Sequence, residues 1–189
     1  MVFKKEIRII AWDDCKHRRG QRKKDILVVG VIFRGGQFID GLLSTSVKLD
    51  GLDATSKIIK AINRSRHRDQ LRVIMLDGIT FAGFNLVDIK MLNMKTKMPV
   101  IAVIRKKPDV NSFKSALKIF PDYNKRLKIV ENAGIPKKWN KIYYQCCGLS
   151  DDDCKKILEL STIRSNIPEP IRVAHLIASG LSGESKGRA

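Results

Sequence analysis

Acidic residues are scarce in this chain and unevenly placed. Up to position 130 the only glutamate is Glu6, and every other acid there is an aspartate. Asp13 and Asp14 close the first apolar run, Asp50 closes the third, and Asp77 closes the fourth. Carboxylates gathered at one place repel one another, and a hard divalent cation with oxygen ligands is the natural countercharge. An ion held that way can activate water and stabilise the leaving oxygen of a phosphodiester. Asp13, Asp50 and Asp77 are therefore the expected ligands of Mg²⁺ or Mn²⁺. Asp14, beside Asp13, and Asp88, on the helix expected after Asp77, are candidates for supporting them from outside. Each residue also has a plainer reading. Asp50-Gly51 and Asp77-Gly78 are common turn dipeptides, Asp13-Asp14 suits a solvated loop, Asp40 suits a solvent-facing strand edge, and Asp53 suits a helix cap.

The elements that must position these groups follow from periodicity. Residues 6–12, 26–33 and 38–49 read as three strands, and Arg34-Gly35-Gly36-Gln37 joins the last two as a hairpin turn. Over 53–65 the period changes, with Ile58, Ile59 and Ile62 on one helical face. Short apolar runs at 72–76 and 99–104 suit buried parallel strands reached by crossover helices, the second spanning 84–94. A helix near 110–118, a strand pair at 127–130 and 142–147, and helices at 151–161 and 169–181 complete the expectation. Three antiparallel strands followed by right-handed βαβ units give an α/β, ribonuclease H-like order: a mixed central sheet flanked by helices. In that order the first and fourth strands are neighbours, which would bring Asp13 and Asp77 together with Asp50 across from them. No repeat or linker interrupts the sequence, so residues 1–189 are expected to form one domain.

The charge balance narrows the partners. The chain of 189 residues carries a formal net charge of +18, a field that attracts polyanions such as DNA or RNA; a solvated lysine-rich surface is the bland alternative. The loop containing Lys16, Arg18, Arg19, Arg22, Lys23 and Lys24 directly follows Asp13-Asp14 and is expected to attract the phosphate backbone without reading bases. Arg105, at the end of the fifth strand, is placed to steady charge on a reacting phosphate. A second basic cluster, Arg64, Arg66, His67 and Arg68, ends a helix, where cations also complement the dipole. Phe38 is a stacking candidate, whereas Phe81 and Phe84 read as core. The four cysteines, Cys15, Cys146, Cys147 and Cys154, lack CxxC spacing, which argues against a zinc or thioredoxin-like site. No secretory leader or apolar stretch of spanning length is visible, so a cytoplasmic protein is expected. His175 lies in an apolar helix and, on its own, reads as a packed core histidine.

Several longer segments resemble a largely archaeal, uncharacterised endonuclease V-like family carried as a domain of unknown function. They are Asp13-Asp14, Asp50-Gly51-Leu52-Asp53-Ala54-Thr55, the run from Leu76 to Asn85, Pro99–Arg105, Pro168–His175 and Gly183–Ala189. The more distant resemblance is to endonuclease V itself, which cuts near deaminated purines with Mg²⁺. The resemblance implies that Asp13, Asp50 and Asp77 stand at that family's acidic positions, Arg105 at its lysine, and Gln37-Phe38-Ile39-Asp40 at its strand-separating wedge. It raises His175 to a residue supporting the site. The wedge prolines are absent, Asp50 is one methylene shorter than the family glutamate, and Ile79-Thr80 replaces a His-Gly pair. The function implied is a Mg²⁺-dependent endonuclease acting in nucleic-acid repair or processing, with a non-catalytic nucleic-acid binding module as the alternative. Oligomeric state is left open.

Overall fold

The first strand, β1 (Arg8–Asp14), is buried almost without interruption, as a strand covered on both faces must be. It anchors a computed structural model that describes residues 3–16 and 25–185. Antiparallel to β1 runs β2 (Asp25–Arg34), and antiparallel to β2 runs β3 (Phe38–Lys48), which forms one edge. Trp12 lies opposite Gly30 in the β1–β2 register. A Cβ on Gly30 would stand 2.8 Å from the indole ring, so the glycine is what lets this large fully buried side chain lie across its neighbour.

Helix α1 (Ala54–Arg64) leads to β4 (Val73–Asp77), and α2 (Ile89–Thr96) leads to β7 (Val100–Ile104). Both β4 and β7 join the sheet in parallel, β4 beside β1 and β7 beside β4. The chain then forms α3 (Val110–Ala116), a single 3₁₀ turn, α4 (Tyr123–Ala133), β8 (Lys137–Trp139) and β9 (Ile142–Cys147). Helices α5 (Asp151–Ser161) and α6 (Glu169–Leu181) follow, and α6 packs across β1, β2 and β4. The result is a mixed seven-stranded sheet in the order β3-β2-β1-β4-β7-β9-β8, flanked by helices. The neighbouring of β1 and β4, on which the aspartate argument depends, is present.

Two expected elements differ. The segment 127–130 is not a strand but the middle of α4, fixed by an i,i+4 ion pair between Asp122 and Arg126; β9 pairs instead with β7 and β8. The helix expected from 84 begins only at Ile89. A small hairpin, β5 (Thr80–Phe81) with β6 (Asn85–Leu86), occupies the start of that stretch, turning through Ala82 and Gly83 at φ of 42° and 81°. Among the described residues no helix is long and apolar enough to cross a membrane.

Candidate metal centre

Strand register assembles the site. The parallel pairing of β1 and β4 runs Ile9–Val73, Ile10–Ile74, Ala11–Met75 and Trp12–Leu76, so one further step sets Asp13 beside Asp77. Alternation of side chains along each strand then puts both carboxylates on the same face as Ala11 and Met75. The pairing of Asp77 with Val103 makes Arg105, two residues further along, point the same way, and its Nη2 donates to Asp77 Oδ2 at 2.7 Å. Over this face lies α6. Ile171, Ala174 and Ala178 form its buried stripe, and His175, half-buried, lies on the same side of the helix. His175 Nδ1 lies 2.8 Å from Asp13 Oδ2 and 3.7 Å from Asp77 Oδ2.

One potential ligand atom each from Asp13, Asp77 and His175 lie within 4.8 Å of one another. Two carboxylate oxygens and an imidazole nitrogen form a donor set that suits a divalent ion. Electrostatics agree. Burial, and then the charge of Asp13, push the Asp77 carboxyl up from 3.8 to about 6, even though Arg105 pulls it down. Burial, followed by Asp13, likewise raises Asp14 to about 7, against the lowering effect of its bond from the Ala82 amide. Protons or a cation are thus required to relieve the crowding of negative charge. An apolar-lined cavity of about 220 Å³, bordered by Gly78, Ile79, Thr80, Ile104, Phe113 and Gln145, lies beyond the end of β4, its strand residues Ile104 and Gln145 alternating away from the face that carries Asp77 and Arg105.

A family model described as endonuclease dU matches residues 5–182. The chain belongs to the endonuclease dU family. A UPF0215 protein of Methanothermobacter thermautotrophicus is 50% identical over 99% of this chain and 94% of its own length. The crystal structure of an Archaeoglobus fulgidus protein is similar with a TM-score of 0.87 and 41% identity, covering 93% of this chain and 98% of that one. Endonuclease V of Ciona intestinalis, solved with a 24mer DNA containing an inosine, gives a TM-score of 0.56 at 15% identity over 88% of this chain and 82% of that one. At that identity the likeness is one of fold.

Within this endonuclease dU family member, the structure does not bring Asp50 into the group formed by Asp13, Asp77 and His175. Asp50 lies just beyond the end of β3, and its carboxylate is turned to the 82–84 segment instead. Its backbone turns through φ 54°, its N–H donates to Ala82 O at 2.9 Å, and its Oδ1 accepts from Phe84 N–H at 2.8 Å. Asp50 therefore ties down the 82–84 turn. The same turn donates the Ala82 N–H to Asp14 Oδ2 at 3.0 Å, so Asp14 and Asp50 brace one loop from opposite sides.

The remaining expectations resolve individually. Asp88 caps α2, accepting from Lys90 and Met91 amides and from Asn132 Nδ2, and it does not reach the group. Asp53 makes no cap bond to α1; its Oδ1 accepts instead from Lys48 N–H and Asn85 Nδ2. Lys16 is held next to the site by α6's end, its N–H donating to Ser182 Oγ at 2.8 Å. Arg18, Arg19, Arg22, Lys23 and Lys24 lie outside the described residues. Phe38 is exposed on the edge strand β3, whereas Phe84 packs against Phe113 and Phe120.

Arg126 is the residue that sequence reasoning missed. It is 3% exposed, pairs with Asp122, and lies 4.0 Å over the Phe120 ring. It donates to the carbonyls of Phe84 at 2.6 Å, Asp50 at 2.8 Å and Gly51 at 3.3 Å, which locks the Asp50 loop to the 82–84 turn. The i,i+4 spacing from Asp122 was the available signal, hidden by the reading of 127–130 as a strand.

Proposed function

We propose that this chain, over residues 1–189, acts as one ribonuclease H-like domain that hydrolyses phosphodiesters in nucleic acid with Mg²⁺ or Mn²⁺. The observation that carries the reading is the convergence of Asp13, Asp77 and His175 at the ends of two adjacent parallel strands. These three would hold the ion. A bound divalent cation supplies an activated water and neutralises charge at the scissile phosphate. Around it, Arg105 holds Asp77 in place and is positioned to steady charge developing on the phosphate. Asp14 braces the Ala82 loop, and the basic segment beginning at Lys16 attracts the strand. Asp50 is assigned to organising the loop rather than to the ion.

The family's description points to DNA carrying deoxyuridine as the first substrate to try, with inosine, found in the Ciona endonuclease V complex, as the second. Cleavage of single- and double-stranded DNA and RNA, with and without uracil or inosine, decides the matter when run with Mg²⁺, Mn²⁺ or EDTA. Cutting that needs the metal and disappears in Asp77→Asn is expected. A second reading, a binding module without catalysis, is favoured by the +18 charge and the absence of Asp50 from the ligand group. Salt-dependent binding with no cleavage under either metal would establish it.

A further inference from the structure

At the opposite end of β1 from the carboxylates is a second, cationic site. A cavity of about 360 Å³ is lined by Arg8, Arg34, Asp40, Arg66, His67 and Gln70. Asp40 is the carboxylate among them, and one of its oxygens, Oδ2, accepts from Arg8 Nε at 2.9 Å and from Arg34 Nε at 2.8 Å. Both arginines are thereby fixed side by side through their inner nitrogens, and their terminal Nη groups make no hydrogen bond to protein among the described residues. The contact those groups do make is a long one, Arg34 Nη1 to Glu6 at 3.8 Å. Arg66 donates to His67 Nε2 at 3.4 Å and has no carboxylate partner among the described residues. The His67 ring lies against β3 at Gly41, where a Cβ would stand 3.0 Å from Nε2, so a side chain at that position would crowd the ring. A wider groove sharing Arg8 and Gln70 adds Lys4, Arg72 and Lys97 with only Glu6 to oppose them.

We infer that this cavity is a phosphate clamp for the backbone of the same nucleic acid, away from the reacting bond. An arginine whose Nε is engaged by a carboxylate presents a planar pair of N–H groups in a fixed direction, the geometry that phosphate oxygens accept. Two such arginines with a free third cation between β3 and the end of α1 form a site for an anion, and the surrounding charge is too one-sided for a self-neutralised ion cluster. Arg8 and Asp13 are five residues apart on one strand, about 17 Å, and the odd separation turns their side chains to opposite faces of the sheet, so a nucleic acid that engages both must extend beyond about five base-pair steps of duplex rise. The clamp rests on the nucleic-acid reading above but does not need the cleavage step.

The test measures binding of the Asp77→Asn protein in EDTA, by fluorescence anisotropy, to duplexes of two lengths across a salt series. One duplex is long enough to reach both ends of β1, and the other is trimmed to cover the carboxylate end alone. Arg66→Gln is expected to lower the slope of log K against log salt by about 0.9 and to weaken binding about eightfold at about 0.1 M salt on the long duplex. It should leave the short duplex unaffected, and Arg66→Lys should restore both quantities. Arg66 is exposed, so unfolding temperatures of the variants should match the parent, and Arg66→Glu should enlarge the loss. An unchanged slope in both Arg66→Gln and Arg66→Glu overturns the clamp, as does an equal loss on the two duplexes. The nuclease reading fails separately: a parent protein that never cuts, yet shows the Arg66-dependent slope, keeps the clamp and loses the catalysis.

Discussion

Replacing Asp77 by asparagine should make the metal-free protein more stable while abolishing its response to metal. In the folded state the Asp77 carboxyl titrates at about 6 rather than 3.8, because burial and Asp13 oppose its charge more than Arg105 favours it. The folded state consequently holds more protons than the unfolded chain between about pH 4 and 6, and stability falls as pH rises through that window. A shift of about two units corresponds to about 3 kcal/mol, fully felt above pH 7. With 14% of the side chain exposed, little of this is screened by solvent. Asparagine has the same shape and no charge, so it escapes the penalty. For a domain of this size about 3 kcal/mol amounts to roughly 6–12 °C in unfolding temperature. Thermal unfolding of both proteins in EDTA, followed by circular dichroism across pH, should show a difference that is absent near pH 4 and reaches a plateau above pH 7. Adding Mn²⁺ should then stabilise the parent, by about 2.7 kcal/mol at a hundred times the dissociation constant, and leave the variant where it was. Equal unfolding temperatures at every pH, together with an equal response to Mn²⁺, would show Asp77 to be a solvated acid and would remove the argument for a shared ion.

The other perturbations separate ligands from braces. His175→Ala should weaken Mn²⁺ binding by about 10–100-fold in calorimetric titration, whether the imidazole binds the ion or fixes Asp13 through its 2.8 Å bond, with the fold retained. Asp50→Asn keeps an acceptor for the Phe84 amide and should leave Mn²⁺ affinity within about twofold, where the loss of a true ligand would exceed tenfold. Arg126→Ala strands Asp122 and the carbonyls of Asp50 and Phe84, and should destabilise the protein by roughly 3–5 kcal/mol in urea unfolding.

Which parts of this were legible in the sequence follows from the range of the interactions involved. The strands and crossover helices depend on local periodicity, and the pairing of β1 with β4 follows from chain order, so the adjacency of Asp13 and Asp77 was legible without coordinates. That Asp50 turns away from Asp13 and Asp77 was not legible: Asp50-Gly51 signals a turn, but the left-handed backbone at Asp50 and the Phe84 amide that its carboxylate accepts from depend on the packing of a distant segment. Arg126 was invisible for a related reason. Its partners are backbone carbonyls more than forty positions away, and a carbonyl has the same chemistry in every residue. The contact of His175 with Asp13 was not legible: a single histidine on an apolar helix reads as packing, and only the docking of α6 over the two strand ends brings its ring to the carboxylate.

The overall positive charge and the acidic centre are complementary for a physical reason. A field from +18 draws a polyanion toward the whole surface, yet a phosphate approaching Asp13 and Asp77 directly would meet like charge. The protein's own cations do not cancel that repulsion, since Asp77 stays raised to about 6 even with Arg105 bonded to it at 2.7 Å. A divalent ion held by Asp13 and Asp77 would resolve the conflict, and it would also supply the chemistry of the phosphodiester hydrolysis proposed above. The cluster's poor self-neutralisation would thus couple metal binding to pH. Below about pH 6 protons occupy Asp77 and compete with the ion, so metal affinity should rise with pH through about 6 to 7, the range set by Asp77 and Asp14.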